Sequence, residues 1–156
     1  MAKDPEKKKK KKSVEKKEKA AEGPTYEDRI RFLSPISKPL AGKKLTLNLH
    51  KLVKKAAAAK LLKRGVKEVV KALKKNTQGI CVIAGDISPI DVISHVSVFC
   101  EEKDVPYIYV PSRVDLGLAS STKRPTSVVL IQNKAGSADD ELYKELFAEV
   151  KSSAIF

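Results

Sequence analysis

Apolar residues recur at helical spacing in two neighbouring segments in the first half of the chain. The first segment, expected to begin near Thr46 or Asn48, has its apolar stripe at Leu49, Leu52, Val53 and Ala56. After Gly65 a second segment repeats the spacing with Val66, Val69, Val70 and Leu73. Lysines fill the opposite side of both. The pattern predicts two amphipathic helices that bury one face and expose cations on the other.

Short apolar runs alternate with helical patterns in the second half. Strands are predicted at residues 80–84, 107–110 and 127–131, and helices after Ser88, over 112–119 and over 139–151. Ser88 is expected to cap its helix, with Pro89 as the first helical residue and Asp91 closing a capping box. This alternation predicts an α/β fold, a three-layer α/β/α sandwich around a small central mixed sheet.

The amino-terminal segments differ from the rest in composition. Residues 1–24 contain six consecutive lysines and few apolar side chains, which predicts a disordered lysine-rich tail. This tail suits a nuclear address and RNA-contacting arm, or a solubilising extension. Prolines and a glycine in residues 25–45 predict an extended arm, and residues 46–156 are expected to form one domain of α/β/α type.

The whole chain of 156 residues carries a net charge of +13, and most of its positive charge lies in the first half. Residues 38–75 hold thirteen bases against one acid, Glu68, whereas residues 76–156 hold seven bases and eleven acids. Clustered Lys and Arg favour a polyanion ligand, because each neutralised phosphate releases counterions. The alternative is a solvated lysine-rich helix surface.

Other classes of function have weaker support. Four residues that could serve catalysis lie close in sequence: Asp86, Asp91, His95 and Cys100. Each has a structural explanation, since Asp86 falls in a turn and Asp91 in a capping box, while His95 is expected on a helix surface and Cys100 in the core. No Gly-rich phosphate loop or metal-ligand spacing is present, so no catalytic residue, cofactor or metal site is predicted. Cys81 and Cys100 are expected to be buried thiols. No apolar run approaches the roughly 20 residues that a bilayer requires, so no membrane association is expected.

The start of the second helix is the strongest candidate for chemistry. Lys63, Arg64, Lys67 and Lys71 are expected to cluster there, where the helix dipole favours phosphate oxygens. Gly65 permits close approach of a backbone. Glu68 has two readings: its carboxylate accepts from base amino groups, or it pairs with Lys71 one turn away.

Four segments together resemble the kink-turn-binding ribosomal protein family. They are 62–73 (LKRGVKEVVKAL), 82–89 (VIAGDISP), 100–107 (CEEKDVPY) and 116–119 (LGLA) followed by Lys123-Arg124-Pro125. The likeness runs in order over about residues 38–151 and is strongest to the branch found in eukaryotic box H/ACA ribonucleoproteins.

The resemblance implies a noncatalytic RNA-binding subunit of a nucleolar particle. It implies assembly with box H/ACA guide RNA, a dyskerin-type pseudouridine synthase, a small bridging nucleolar protein and a glycine/arginine-rich core protein, for pseudouridylation and processing of rRNA. Carried over by position, the family's RNA face comprises Lys63, Gly65, Glu68, Lys71, Val92, Thr122, Lys123 and Arg124. With the neighbouring Arg64, Val66 and Lys67, these are the predicted RNA-binding residues.

One position departs from the family pattern. Kink-turn readers carry Gly-x-Asn-Glu, whereas this chain has Lys67 before Glu68. An ammonium donates but cannot accept, so it does not replace the amide. This favours the H/ACA branch over a kink-turn-binding subunit of a box C/D or spliceosomal particle. A stress-signalling interaction module on the same fold is a further alternative, against which the basic first half argues.

Deletion of residues 1–24 tests the prediction of a disordered tail. We expect an almost unchanged melting temperature, since the segment offers few apolar contacts, together with a modest loss of RNA affinity. Thermal denaturation of the full chain and the truncated chain measures the first effect. A large loss of stability would show that the tail packs on the domain.

Overall fold

A computed structural model of the protein describes residues 25–133 and 140–154. The helices are α1 (Tyr26–Ile30), α2 (Lys43–Ala58), α3 (Val66–Lys74), α4 (Asp91–Glu102), α5 (Arg113–Ala119) and α6 (Asp140–Ser153). The strands are β1 (Leu62–Arg64), β2 (Gly79–Ala84), β3 (Tyr107–Val110) and β4 (Val128–Gln132). The tail over residues 1–24 lies outside the described residues.

The four strands form one mixed sheet in the order β1-β4-β2-β3. β4 is antiparallel to both of its neighbours, and β2 and β3 are parallel. The carboxyl ends of β1, β2 and β3 therefore meet the amino end of β4 at one edge of the sheet. Two hydrogen bonds mark this edge, from Gly65 N–H to the Val128 carbonyl at 2.9 Å and from Ala84 N–H to the Ser127 carbonyl at 2.8 Å.

Helices cover both faces of the sheet. Cys81 of β2 faces Cys100 of α4, and α4 packs against α3. Ile131 of β4 belongs to the opposite face, where it lies beside Leu52 of α2 and Tyr143 of α6. Because successive strand residues point to opposite sides, these contacts separate the two helical layers. The predicted three-layer α/β/α sandwich is confirmed.

The segment before α2 pairs with β3, the outermost strand on that side of the sheet. Tyr109 donates to the Pro39 carbonyl at 2.9 Å and accepts from Ala41 N–H at 2.8 Å, which adds a short parallel bridge. The segment includes the helix α1, and an ion pair between Arg29 and Asp115 ties α1 to α5. The expected boundary at residue 45 falls inside α2, and the division into tail, arm and domain stays a prediction.

The helix α2 begins earlier than the sequence pattern predicts. Gly42 is its N-cap, and Thr46 lies in the first turn, where its N–H bonds to the Gly42 carbonyl at 2.8 Å. Its hydroxyl donates to the Ala41 carbonyl at 3.3 Å. Since Ala41 is held by Tyr109 of a distant strand, the start of the helix depends on a contact that local periodicity does not contain.

The predicted capping box at Ser88 is wrong. The helix α4 begins at Asp91 with Ile90 as N-cap and without a side-chain capping bond. The N–H groups of Ile93 and Ser94 both bond to the Ile90 carbonyl, at 3.0 and 3.1 Å. Ser88 precedes that carbonyl by two residues, so its hydroxyl is too early in the chain to cap the first turn.

Both cysteines are buried thiols, as predicted. The hydrogen bond with Cys100, together with burial, raises the pKa of Cys81, so that this sulfur stays protonated at neutral pH. A protonated thiol inside the core is a poor nucleophile.

None of the helices within residues 25–133 and 140–154 has the length and apolar character needed to cross a bilayer.

Candidate nucleic-acid interface

The structure brings the predicted site residues to one edge of the sheet, on three segments. The first runs from β1 into α3, the second is the start of α4 after β2, and the third is the loop from α5 to β4. Each segment follows the carboxyl end of a strand or precedes the amino end of β4. Residues far apart in sequence therefore share one surface because of how β4 pairs with β1 and β2.

Lys63 and Arg64 lie on β1 and not at the start of a helix, which corrects the sequence interpretation. The strand has three residues, pairs with β4 alone and carries two cations, so it lacks an apolar alternation that would reveal it. Gly65 then turns the chain into α3 with φ of +86°. Apart from its chain neighbours, no atom of the described residues lies within 4 Å of the position of a Cβ there, so backbone conformation and not space requires glycine.

The Glu68 side chain bonds back to the backbone just before its own helix. Its Oε2 accepts a hydrogen bond from Arg64 N–H at 3.3 Å. No ion pair between Glu68 and Lys71 forms in the described part of the chain. The carboxylate is thus oriented by the backbone of β1, and its second oxygen remains at the exposed surface.

Arg64 connects the helical segment to the loop after α5. Its Nη1 donates to the Ser120 carbonyl at 2.8 Å. The loop is held further by Thr122, whose Oγ1 lies 3.1 Å from the Gly117 carbonyl and 3.0 Å from the Arg124 carbonyl. Both segments are therefore ordered relative to each other, and the Arg64 guanidinium is partly engaged within the protein.

The free cations of the site are on α3 and on the loop. Lys67 and Lys71 are exposed on α3, and Lys123 and Arg124 are exposed before β4. Across residues 25–133 and 140–154, neither Lys67 nor Lys71 has a hydrogen-bond or ion-pair partner. Five further lysines of the basic segment lie on α2, in the opposite layer. The charge that is contiguous in sequence is consequently divided between two surfaces.

Val92 supplies an apolar contact at the same edge. It lies in the first turn of α4 and remains 38% exposed, whereas Ile93 beside it is fully buried. Val92 therefore presents apolar surface to solvent at this edge, where a ligand can reach it.

The acidic, histidine and cysteine residues near β2 do not form a catalytic group. Asp86 accepts from Arg113 N–H at 3.0 Å, His95 is exposed, and Cys100 is fully buried. A nucleophile must meet its base at hydrogen-bonding distance, and no hydrogen bond joins the exposed imidazole to the buried thiol in the described part of the chain. Among the described residues, no group of three acids, histidines or cysteines is arranged to hold a metal ion.

A family model matches residues 48–141, and its description is ribosomal protein L7Ae/L30e/S12e/Gadd45 family. The match covers more than half of the chain and includes all three segments of the site. The protein belongs to this family. The resemblance inferred from the sequence motifs is confirmed.

Relatives within the L7Ae/L30e/S12e/Gadd45 family match most of the chain. An H/ACA ribonucleoprotein complex subunit 2-like protein of Arabidopsis thaliana is 56% identical over 120 residues, covering 77% of this chain and 76% of the relative. The H/ACA ribonucleoprotein complex subunit 2 of Bos taurus is 44% identical over 128 residues, covering 82% of each chain.

A solved structure agrees with the fold. A 15.5 kDa RNA-binding protein of Giardia lamblia superposes with a TM-score of 0.73 at 31% identity, covering 78% of this chain and all of that chain. The mixed four-stranded sheet and its helices thus form the L7Ae-type fold.

The sequence interpretation missed residues that shape the site through contacts distant in sequence. Ser120 offers its carbonyl to Arg64, and Gly117 lies against the backbone of Arg124. Lys74 and His95 line a groove beside α3 together with Lys67 and Lys71. A glycine inside a short helical pattern signals a close backbone approach, but its partner becomes visible only in the fold.

Gly117→Ala tests whether close packing holds the site loop. A Cβ at this position would contact the Arg124 carbonyl oxygen, which is backbone and cannot swing away. We expect a loss of about 1–3 kcal/mol of stability, measured by urea denaturation, and weaker RNA binding because the loop is displaced. Gly42→Ala is the comparison, since no atom lies within 4 Å of its Cβ position and only the replacement of an N-cap glycine lowers stability there, which should cost less than the clash at Gly117. Equal stability of both variants would contradict this account.

Proposed function

We propose that this protein is a noncatalytic RNA-binding core subunit of the box H/ACA small nucleolar ribonucleoprotein. In that role it supports RNA-guided pseudouridylation of rRNA and pre-rRNA processing. One observation carries the proposal: a preformed cationic surface at one sheet edge, in a chain 44–56% identical to proteins named for the H/ACA complex.

The described contacts suit recognition of an RNA backbone. Lys67 and Lys71 lie on one side of α3 with free ammonium groups, and the amino end of that helix adds partial positive charge. Gly65 leaves open space over the backbone, so a phosphate can approach the first N–H groups of the helix. These contacts supply affinity and register without reading sequence.

The remaining site residues add contacts of other kinds. The outward oxygen of Glu68 accepts from a base amino group, and Val92 offers an apolar surface to an unstacked base. Thr122, Lys123 and Arg124 approach the RNA from the loop side, with the backbone of Arg124 fixed by Thr122. Binding from two sides of a nucleotide strand follows from this arrangement.

Assembly with proteins is part of the proposal. The expected partners are a dyskerin-type pseudouridine synthase, a small bridging nucleolar protein and a glycine/arginine-rich core protein, in the nucleolus. Chemistry then resides in the synthase, and this subunit positions guide RNA. The full burial of Cys100 and the raised pKa of the buried Cys81 thiol support a role without catalysis.

Removal of two cations tests where RNA binds. The double variant Lys67→Ala, Lys71→Ala should weaken binding to a stem-loop and reduce the slope of log affinity against log salt by about 0.7–0.9 for each lost phosphate contact. The control Lys51→Ala, Lys54→Ala removes the same charge from exposed positions of α2. Fluorescence anisotropy over a salt series measures both. Equal slopes for the two variants would indicate a diffuse lysine-rich surface instead of a site.

Lys67→Asn tests the choice between the H/ACA branch and a kink-turn-binding subunit of a box C/D or spliceosomal particle. Lys67 is exposed one residue before the oriented carboxylate of Glu68, so an amide placed there can donate and accept beside it. Such a contact discriminates by roughly 1–3 kcal/mol, so the ratio of kink-turn to plain-hairpin affinity should rise about fivefold or more.

Competition binding of wild type and Lys67→Asn to both RNAs, at one salt concentration, gives this ratio. General affinity should fall slightly in the variant, because one cation is lost. A wild-type protein that already prefers the kink-turn strongly would favour the box C/D or spliceosomal alternative. A ratio that does not rise in the variant would show that this interpretation of Lys67 is wrong.

A further inference from the structure

A groove of about 490 Å³ lies between α3 and α4, next to the proposed RNA surface. Its lining residues are Val66, Lys67, Val70, Lys71, Lys74 and His95. None of the six is acidic. Two of them, Lys67 and Lys71, also belong to the proposed RNA surface, so the groove continues that surface along the helix.

The α3 wall of the groove is a row of cations over an apolar floor. Lys67, Lys71 and Lys74 follow i, i+4, i+7 spacing, so their side chains share one face of the helix over about 10 Å. All three are exposed, and Val66 and Val70 below them are only half-buried. In such a wall the lysines can contact the phosphates of a nucleic-acid strand, and the valines can contact the faces of its bases or sugars.

The opposite wall carries one hydrogen-bonding group, the imidazole of His95. Its Nδ1 lies 3.3 Å from the Asp91 carbonyl of the preceding turn. Because a carbonyl oxygen only accepts, Nδ1 carries the proton in this contact, and Nε2 of the neutral ring is an acceptor. The ring is exposed and packs edge-on against Phe99 at a centroid distance of 6.3 Å, which restricts its rotation.

We propose that this groove binds a single RNA strand that leaves the stem-loop held at the sheet edge. The lysines contact its phosphates, and Nε2 of His95 accepts a hydrogen bond from a ribose 2′-hydroxyl. The 2′-hydroxyl is the donor that separates RNA from DNA, so His95 gives the groove a preference for ribose. This inference rests on the proposed RNA-binding function and extends the site to Val70, Lys74 and His95.

The continuity of the groove with the proposed RNA surface favours a nucleic-acid strand over an acidic peptide. An acidic peptide also offers acceptors to the lysines and backbone N–H donors to Nε2 of His95. Lys67 and Lys71, however, belong to both surfaces, so an RNA held at the sheet edge extends directly into the groove. A ribose-phosphate chain offers acceptors to the α3 wall and a donor to the α4 wall. The groove is complementary to that combination.

Three probes test the inference with the full chain. The first is a bare stem-loop, and the second and third carry single-stranded extensions of six nucleotides at both ends, made of ribouridine or deoxyuridine. We expect wild type to bind the ribose-extended probe about three- to tenfold more tightly than the deoxy-extended probe, which corresponds to one hydrogen bond. The bare stem-loop should bind most weakly of the three.

Two variants assign the effect to residues. His95→Ala should remove the difference between the ribose and deoxyribose extensions and leave binding of the bare stem-loop unchanged. Lys74→Ala should lower affinity for both extended probes alike, whereas Lys54→Ala on the opposite layer should not distinguish extended from bare probes. Melting temperatures of the variants, whose changed side chains are all exposed, verify folding.

The outcomes separate this inference from the proposed function. If extensions add no affinity while the bare stem-loop still binds through Lys67 and Lys71, the groove does not hold an RNA strand. If the ribose preference survives in His95→Ala, the assignment of the 2′-hydroxyl contact is overturned. Loss of binding to every probe in wild type would instead reject RNA binding itself.

Discussion

The antiparallel insertion of β4 between β1 and β2 is the constraint on which the site depends. It places the end of β1, the end of β2 and the beginning of β4 at one edge of the sheet. The hydrogen bonds from Gly65 to Val128 and from Ala84 to Ser127 mark the end of this strand pairing, next to the loops of the site. Three stretches of chain separated by many residues thereby become one surface, which no local feature of any of them determines.

The distribution of charge depends on the same architecture. The basic stretch is almost free of acids over 38 residues, yet the fold sends its first helix to one layer and its second helix to the other. Only the cations of α3 join the loop cations at the sheet edge. Net charge therefore describes the chain's general attraction to polyanions, whereas layer assignment decides which lysines act together.

The sequence predicted those parts of the fold that depend on local periodicity. The buried strands β2 and β3 were found nearly at their observed bounds, because apolar runs mark them. The helix predicted over 112–119 is observed as α5, with Ser112 as its N-cap. The strand β1 was missed because a three-residue edge strand gains its stability from β4 and not from its own composition. The start of α2 was misplaced because Ala41 is held by Tyr109.

The candidate site could likewise be predicted from the sequence only where a single segment contains the signal. Gly65 and Glu68 stand out locally, since a glycine before a helix and a lone acid among cations are visible in one segment. The bond of Glu68 to the backbone of Arg64 also lies within that segment. The bond of Arg64 to Ser120, in contrast, is visible only once it is known which segments meet. Lys74 and His95 became candidates only when α3 and α4 were seen to form two walls.

The bond between Arg64 and the Ser120 carbonyl affects the thermodynamics of complex formation. Because it joins β1 to the loop after α5 in the free protein, the two halves of the surface are already in register before a ligand arrives. Ligand binding then costs little conformational entropy on the protein side, and more of the contact energy is retained as affinity. Lysine at position 64 would keep the charge but would lose the planar, multi-donor geometry of the guanidinium. The identity of this one side chain thus couples rigidity of the scaffold to strength of recognition.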